Sequence, residues 1–130
     1  MLIKPLMSAL RKIIEKIGFE FISLFNERKM DELSEMFCNT TYLVSPLVKD
    51  LFPESKTDRI DGKEKVKEYY KRLVKKNPDF YLKYNESYFD IKSKKFKYDA
   101  LLRNGNHIVS QISINEQGKI EYIITEYLND

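Results

Sequence analysis

The sequence predicts a single α+β domain in which helices pack on one face of a mostly antiparallel sheet. Three observations predict it. Before Pro78 the apolar residues recur at helical spacing; from Phe80 onward the period changes to that of strands; and short turn signals separate the strand-like runs. A chain of 130 residues fits one domain, 1–130, and is long enough to bury a working core without disulfide staples.

The first helix is expected from about Pro5 to Glu27. Leu6, Leu10, Ile13, Ile14, Ile17, Phe21, Leu24 and Phe25 form its apolar stripe, and Gly18 is a weak point within it. A short second helix is expected from about Asp31, with Leu33, Met36 and Phe37 facing in. Thr40 to Val44 reads as a strand, and Pro46, which cannot donate to a ladder, marks its end beside Ser45. Lys49 to Arg59 reads as a polar loop. Asp61-Gly62-Lys63-Glu64 then reads as a capping box for a third helix, with Val66, Tyr69, Tyr70, Leu73 and Val74 on one face and Asn77-Pro78 as its stop.

Four strands follow, within 80–91, 95–103, 107–115 and 119–128. Asn104-Gly105 is the clearest hairpin signal, because both residues tolerate positive φ. Alternation puts Phe96, Tyr98, Ala100 and Leu102 on one face of their strand, and Ile108, Ser110, Ile112 and Ile114 inward on the next.

Composition excludes several function classes. Lys and Arg number 23 against 20 acids, a net charge of +3, and the basic residues are spread rather than gathered, so nucleic acid is not the expected partner. One cysteine, Cys38, and one histidine, His107, are too few for a disulfide framework or a metal site, so neither metal nor cofactor is expected. Cys38 reads as a small buried hydrophobe and His107 as an outward residue beside a turn. Charges interrupt the N-terminal residues too often for a signal peptide or a membrane span, so the expected location is the cytoplasm.

Phe21-Ile22-Ser23-Leu24-Phe25-Asn26, Met30-Asp31-Glu32-Leu33, Ile60-Asp61-Gly62-Lys63-Glu64 and Gly118-Lys119-Ile120 with Glu126-Tyr127-Leu128 resemble, in order and spacing, the NTF2-like superfamily and its SnoaL-like branch. The resemblance spans nearly the whole chain. It implies a cystatin-like cone: three N-terminal helices against a curved, mostly antiparallel sheet that encloses an apolar pocket. Members include isomerases, cyclases, hydrolases and plain binding or dimerisation modules, so the fold alone does not name a function. The chain is similar to the ketosteroid isomerases of the superfamily in Asn26, Asp31 and the proline after the first strand. Their general base, phenolic donor and protonated acid fall on Ser45, Phe21 and Ser110, so all three catalytic residue types are missing. Against the usual pattern of the superfamily the last strand is one residue longer, which implies a bulge near Glu121-Tyr122.

The residues expected to line the pocket are therefore Phe21, Ser45, Tyr98, Ser110, Tyr127 and Glu86. Ser45 can be a pocket hydroxyl, a nucleophile or plain packing; with no histidine or lysine placed to activate it, the nucleophile is the weakest reading. Glu86 stays open. If the face it shares with Tyr84 and Tyr88 points inward, it is a general-base candidate with a raised pKa; if outward, it is a solvated acid near Lys97. Tyr69 and Tyr70 read as core, and Tyr127 could hang its hydroxyl over the pocket mouth. Apolar residues on the outer face of the last strands predict a homodimer. Two functions follow: a SnoaL-like domain binding a compact apolar ligand, or a non-enzymatic dimerisation or adaptor module.

Overall fold

The structure is a computed structural model that describes residues 3–90, 95–101 and 107–128, with side chains described for residues 9–82, 95, 96 and 108–127. Four helices are present among the described residues: α1 (Ile3–Asn26), α2 (Met30–Ser34), α3 (Val48–Leu51) and α4 (Lys63–Lys76). The strands are β1 (Phe37–Val44), β2 (Arg59–Asp61), β3 (Lys83–Asp90), β4 (Lys95–Leu101), β5 (His107–Ile114) and β6 (Ile120–Leu128). They form one six-stranded sheet in the order β2-β1-β6-β5-β4-β3. Only the β1–β6 pair is parallel. It closes the sheet between the first and last strands of the chain.

The helices cover one face. α1 lies against β3 and β4, and α4 lies against β1 and β2. Between them and the sheet sits a core that includes Phe21, Phe25, Leu33, Leu43, Val66, Leu73, Phe96, Ile112 and Ile123. Most of the α1 stripe is buried as the periodicity requires, but Ile13 is 55% exposed. Gly18 is more than a weak point in the helix. A Cβ there would sit under 3.0 Å from the Phe96 ring, so the missing side chain is what lets β4 approach α1. Phe19 closes over the same ring edge-on, at 5.5 Å between centroids.

Two short elements occupy the stretch expected to be a polar loop. α3 forms where Val48, Leu51 and Phe52 bury, and β2 pairs antiparallel with β1. The capping box at Asp61 does not form. Asp61 ends β2 opposite Tyr42, and its carboxylate accepts two hydrogen bonds from Arg59, at 3.0 and 2.7 Å. Gly62 takes the cap position at φ 101°, a conformation that favours glycine. Its N–H donates to Thr41 O at 2.7 Å.

Three irregularities shape the sheet. In β6 the register shifts where Ser113 faces Tyr122 and Ile114 faces Ile120, so Glu121 is the extra residue, at the expected place. In β1 the register with β6 shifts between Phe37 and Tyr42. Thr41, fully buried, holds that shift: its hydroxyl accepts from Cys38 N at 2.8 Å and donates to Ile120 O at 2.6 Å. Cys38 beside it is half-buried rather than a core residue. Burial pushes its thiol pKa up, but hydrogen bonds from Thr41, Thr40 and the backbone outweigh this and hold it below the ordinary value. In β3, Asn85 is extra: Tyr84 pairs with Ala100 and Glu86 with Asp99.

Candidate functional site

The end of α1, one face of α4, the segment leading into β3, and strands β5 and β6 converge on a pocket. It is lined by Phe25, Tyr69, Tyr70, Leu73, Phe80, Leu82, Ile108, Thr125 and Tyr127. Its enclosed space is about 20 Å³, room for about one water molecule and well below the size of a preformed ligand pocket. The wall is aromatic: Phe25 meets Tyr70 and Phe80 edge-on at 5.6 and 5.7 Å, and Tyr70 meets Tyr69 at 5.1 Å. Among the described lining residues, the polar side-chain atoms are the hydroxyls of Tyr69, Tyr70, Thr125 and Tyr127.

These hydroxyls are wired into the fold. The Tyr69 O–H donates to Ser45 Oγ at 2.8 Å, and Tyr69 is also hydrogen-bonded to Tyr127. The same Ser45 oxygen accepts the Leu47 N–H at 3.2 Å, while its backbone N–H donates to Asp58 O at 2.9 Å. Burial pushes the Tyr69 pKa up to about 12, with the Ser45 and Tyr127 hydrogen bonds pulling the other way. Tyr69 is therefore a neutral donor at any physiological pH. Thr125 Oγ1 and the buried Ser110 Oγ share a second hydrogen bond, at 2.9 Å.

This geometry bears on nucleophilic chemistry. A serine nucleophile needs a base that accepts its proton. Ser45 is approached by two donors to its oxygen, an arrangement that lowers its electron density. Among the described residues no cluster of histidine, cysteine or carboxylates is placed to hold a metal ion.

Of the six residues expected at the pocket, Tyr127 borders it. Ser45 is fully buried one step behind Tyr69, and Ser110 lies one step behind Thr125. Phe21 is buried in the core, edge-on to Tyr70 at 5.8 Å. Tyr98 pairs with Ser110 across β4 and β5, and Glu86 pairs with Asp99. The side chains of both lie outside the described residues, as do those of His107, Tyr84 and Tyr88, and the Asn104-Gly105 turn. The extra Asn85 breaks the strict alternation that put Tyr84 and Glu86 on one face. Asn26, similar to an isomerase position, clamps backbone instead: its Nδ2 donates to Leu82 O at 2.9 Å and its Oδ1 accepts Leu82 N–H at 2.8 Å.

Sequence reasoning missed Tyr69. Its helical spacing reads as core, and it is 2% exposed. The available signal was its hydroxyl, since a tyrosine on an apolar helix face must find a polar partner when buried.

Known structures with this fold are many. A SnoaL-like protein of unknown function from Burkholderia thailandensis superposes with a TM-score of 0.80 at 13% identity, covering 92% of this chain and 97% of that one. The epoxide hydrolase/cyclase-like enzyme SalBIII, with a role in pyran ring formation in the polyether salinomycin, matches with a TM-score of 0.67 at 17% identity over 88% of this chain and 90% of its own. An NTF2-like protein of unknown function from Cytophaga hutchinsonii matches with a TM-score of 0.67 at 10% identity, covering 88% and 89%. A protein with a cystatin-like fold is also similar. No family model and no curated protein matches the sequence. The chain has the α+β fold of the SnoaL-like, NTF2-like and cystatin-like proteins. Among the described residues, no helix is long and apolar enough to cross a membrane.

Proposed function

We propose that this chain is a small-molecule-binding domain of the SnoaL-like kind, whose cone pocket takes a compact, neutral, largely apolar ligand and lacks the acids of isomerase chemistry. One observation carries this reading: the described residues that line the pocket include no carboxylate, lysine, arginine or histidine. A charged ligand would lose its hydration there with no counter-charge to replace it. The hydroxyls on the wall orient a neutral polar group by hydrogen bonds and cannot abstract a proton from carbon. Similarity to a cyclase-like enzyme raises ring closure as a chemistry for this pocket. That chemistry would need a base, and the Tyr69 phenol, held protonated by burial, is a donor.

The test is calorimetric titration with neutral aromatic alcohols such as phenol and 2-naphthol, beside benzoate as a charged control. The neutral compounds should bind and benzoate should not. Tight benzoate binding, or no binding by either alcohol, would end the reading. Ser45→Ala removes no ligand hydrogen bond, because Ser45 lies behind Tyr69, and should leave the affinity for the alcohols within about 0.5 kcal/mol. A fluorophosphonate probe should leave Ser45 unlabelled.

The second reading, a dimerisation or adaptor module, rests on the sheet face away from the helices. There Tyr42 stacks on Tyr122 at 5.1 Å, Arg59 lies over Tyr42 at 3.8 Å and Lys95 over Tyr122 at 5.9 Å. Val44, Val109 and Ile124 are half-buried beside them. We favour a homodimer through this face. It leaves the pocket, on the other side of the sheet, available for a ligand.

A further inference from the structure

One wall of the pocket is neither helix nor strand. Residues 77–82 join α4 to β3, and from them Phe80 and Leu82 line the pocket. The other walls are held by helix hydrogen bonds, strand ladders and the core. Asn26 at the end of α1 and Arg28 just beyond it bond this strap, beside the edge-on contact of Phe25 with Phe80. Asn26 makes two bonds to the Leu82 backbone. Arg28 donates to Phe25 O at 3.2 Å, to Pro78 O at 3.0 Å and to Phe80 O.

The sequence after α1 is built to aim that guanidinium. Lys29 N–H bonds Leu24 O at 2.9 Å and Arg28 N–H bonds Phe25 O at 3.0 Å, the closure of a Schellman motif. That motif needs a left-handed residue, usually glycine. Here it is Arg28, at φ 63°. A side chain is retained where glycine would be unstrained, and its guanidinium grips carbonyls of the strap.

Within the strap, Phe80 is half-buried and Tyr81 beside it is 38% exposed, while Leu82 next to β3 is buried; Thr125 and Tyr127 on the β6 wall are half-buried as well. Further bonds of the strap are local ones, from Asn77 N and Nδ2 to Leu73 O and from Phe80 N to Asn77 O, and a segment held by side chains and turns opens locally at less cost than a ladder. We propose that residues 78–82 are the adjustable wall of the pocket, that Asn26 and Arg28 are the positioning residues that set it, and that Phe80 limits the size of ligand admitted. This rests on the binding reading given above.

The test uses the full chain and its Asn26→Ala, Arg28→Lys and Phe80→Ala variants. Hydrogen exchange over residues 77–83, without ligand, should quicken about tenfold in Asn26→Ala and Arg28→Lys, with residues 108–114 unchanged. If Asn26→Ala folds poorly by circular dichroism, Arg28→Lys carries this arm alone. Unchanged exchange would overturn the positioning role. Affinities for phenol and 2-naphthol give the second arm. Removing the Phe80 ring should shift the ratio about tenfold toward 2-naphthol, the scale on which an apolar pocket discriminates size. Binding with an unchanged ratio would overturn the size limit while leaving the binding reading intact. Failure of every chain to bind either alcohol would overturn both.

Discussion

Tyr69 places a phenol where water does not reach, and its titration links the site to stability. Its pKa is raised from 10.0 to about 12 in the folded chain, with burial as the main cause. The folded state thus keeps the proton longer than the unfolded chain does. That stability is fully present below pH 10 and is lost as pH rises through about 12. Urea unfolding between these limits should show a decline that Tyr69→Phe removes, on the order of 2 kcal/mol. An identical decline in the variant would mean that other groups cause it. At neutral pH the same substitution leaves Ser45 without its hydroxyl donor and should cost about 1–2 kcal/mol.

At the scale of elements, α1 and β1 each depend on one atom group that propensity would not select. In α1, Gly18→Ala would ordinarily gain about 1 kcal/mol of helix propensity. Here the new methyl meets the buried Phe96 ring, and forced repacking of this kind costs about 1–3 kcal/mol. A net loss of stability is expected on thermal melting; a rise in Tm would show that Phe96 has room to move. In β1, the Thr41 hydroxyl bridges Cys38 N and Ile120 O across the register shift. Thr41→Val keeps the shape and leaves both groups without that partner, so denaturant unfolding should show a loss of about 1–3 kcal/mol. Anything below half of that would mean the backbone re-pairs without the hydroxyl.

For the whole molecule, the proposed homodimer is tested at the outer sheet face. The Arg59–Tyr42–Tyr122–Lys95 row runs across it beside half-buried valine and isoleucine. Two copies meeting there would cover one another's aromatic row. A dimer worth roughly −7 kcal/mol forms at about 10 µM, so sedimentation velocity across that range should show it. Tyr122→Glu, which puts a charge at the centre of the row, should return the chain to monomer. A wild-type monomer at every concentration would refute the interface.

The sequence by itself determined the longer elements and their order, because apolar period and turn chemistry are local properties of the chain; the bulge at Glu121 was implied by the resemblance. α1, α4 and the strands β3 to β6 were all legible this way. The elements it missed, α3 at four residues and β2 at three, are too short to show a period. Tertiary structure decided the cap of α4: β2 pairing claimed Asp61, and the N-cap passed to Gly62. It also decided the site. Ser45 and Tyr69 lie 24 residues apart in sequence, and Asn26 and Leu82 lie 56 apart, so their bonds exist only once α4 packs on β1 and the strap crosses the end of α1. A pocket assembled from five segments has no local signature, because each of its residues satisfies its own helix or strand pattern equally well as plain core.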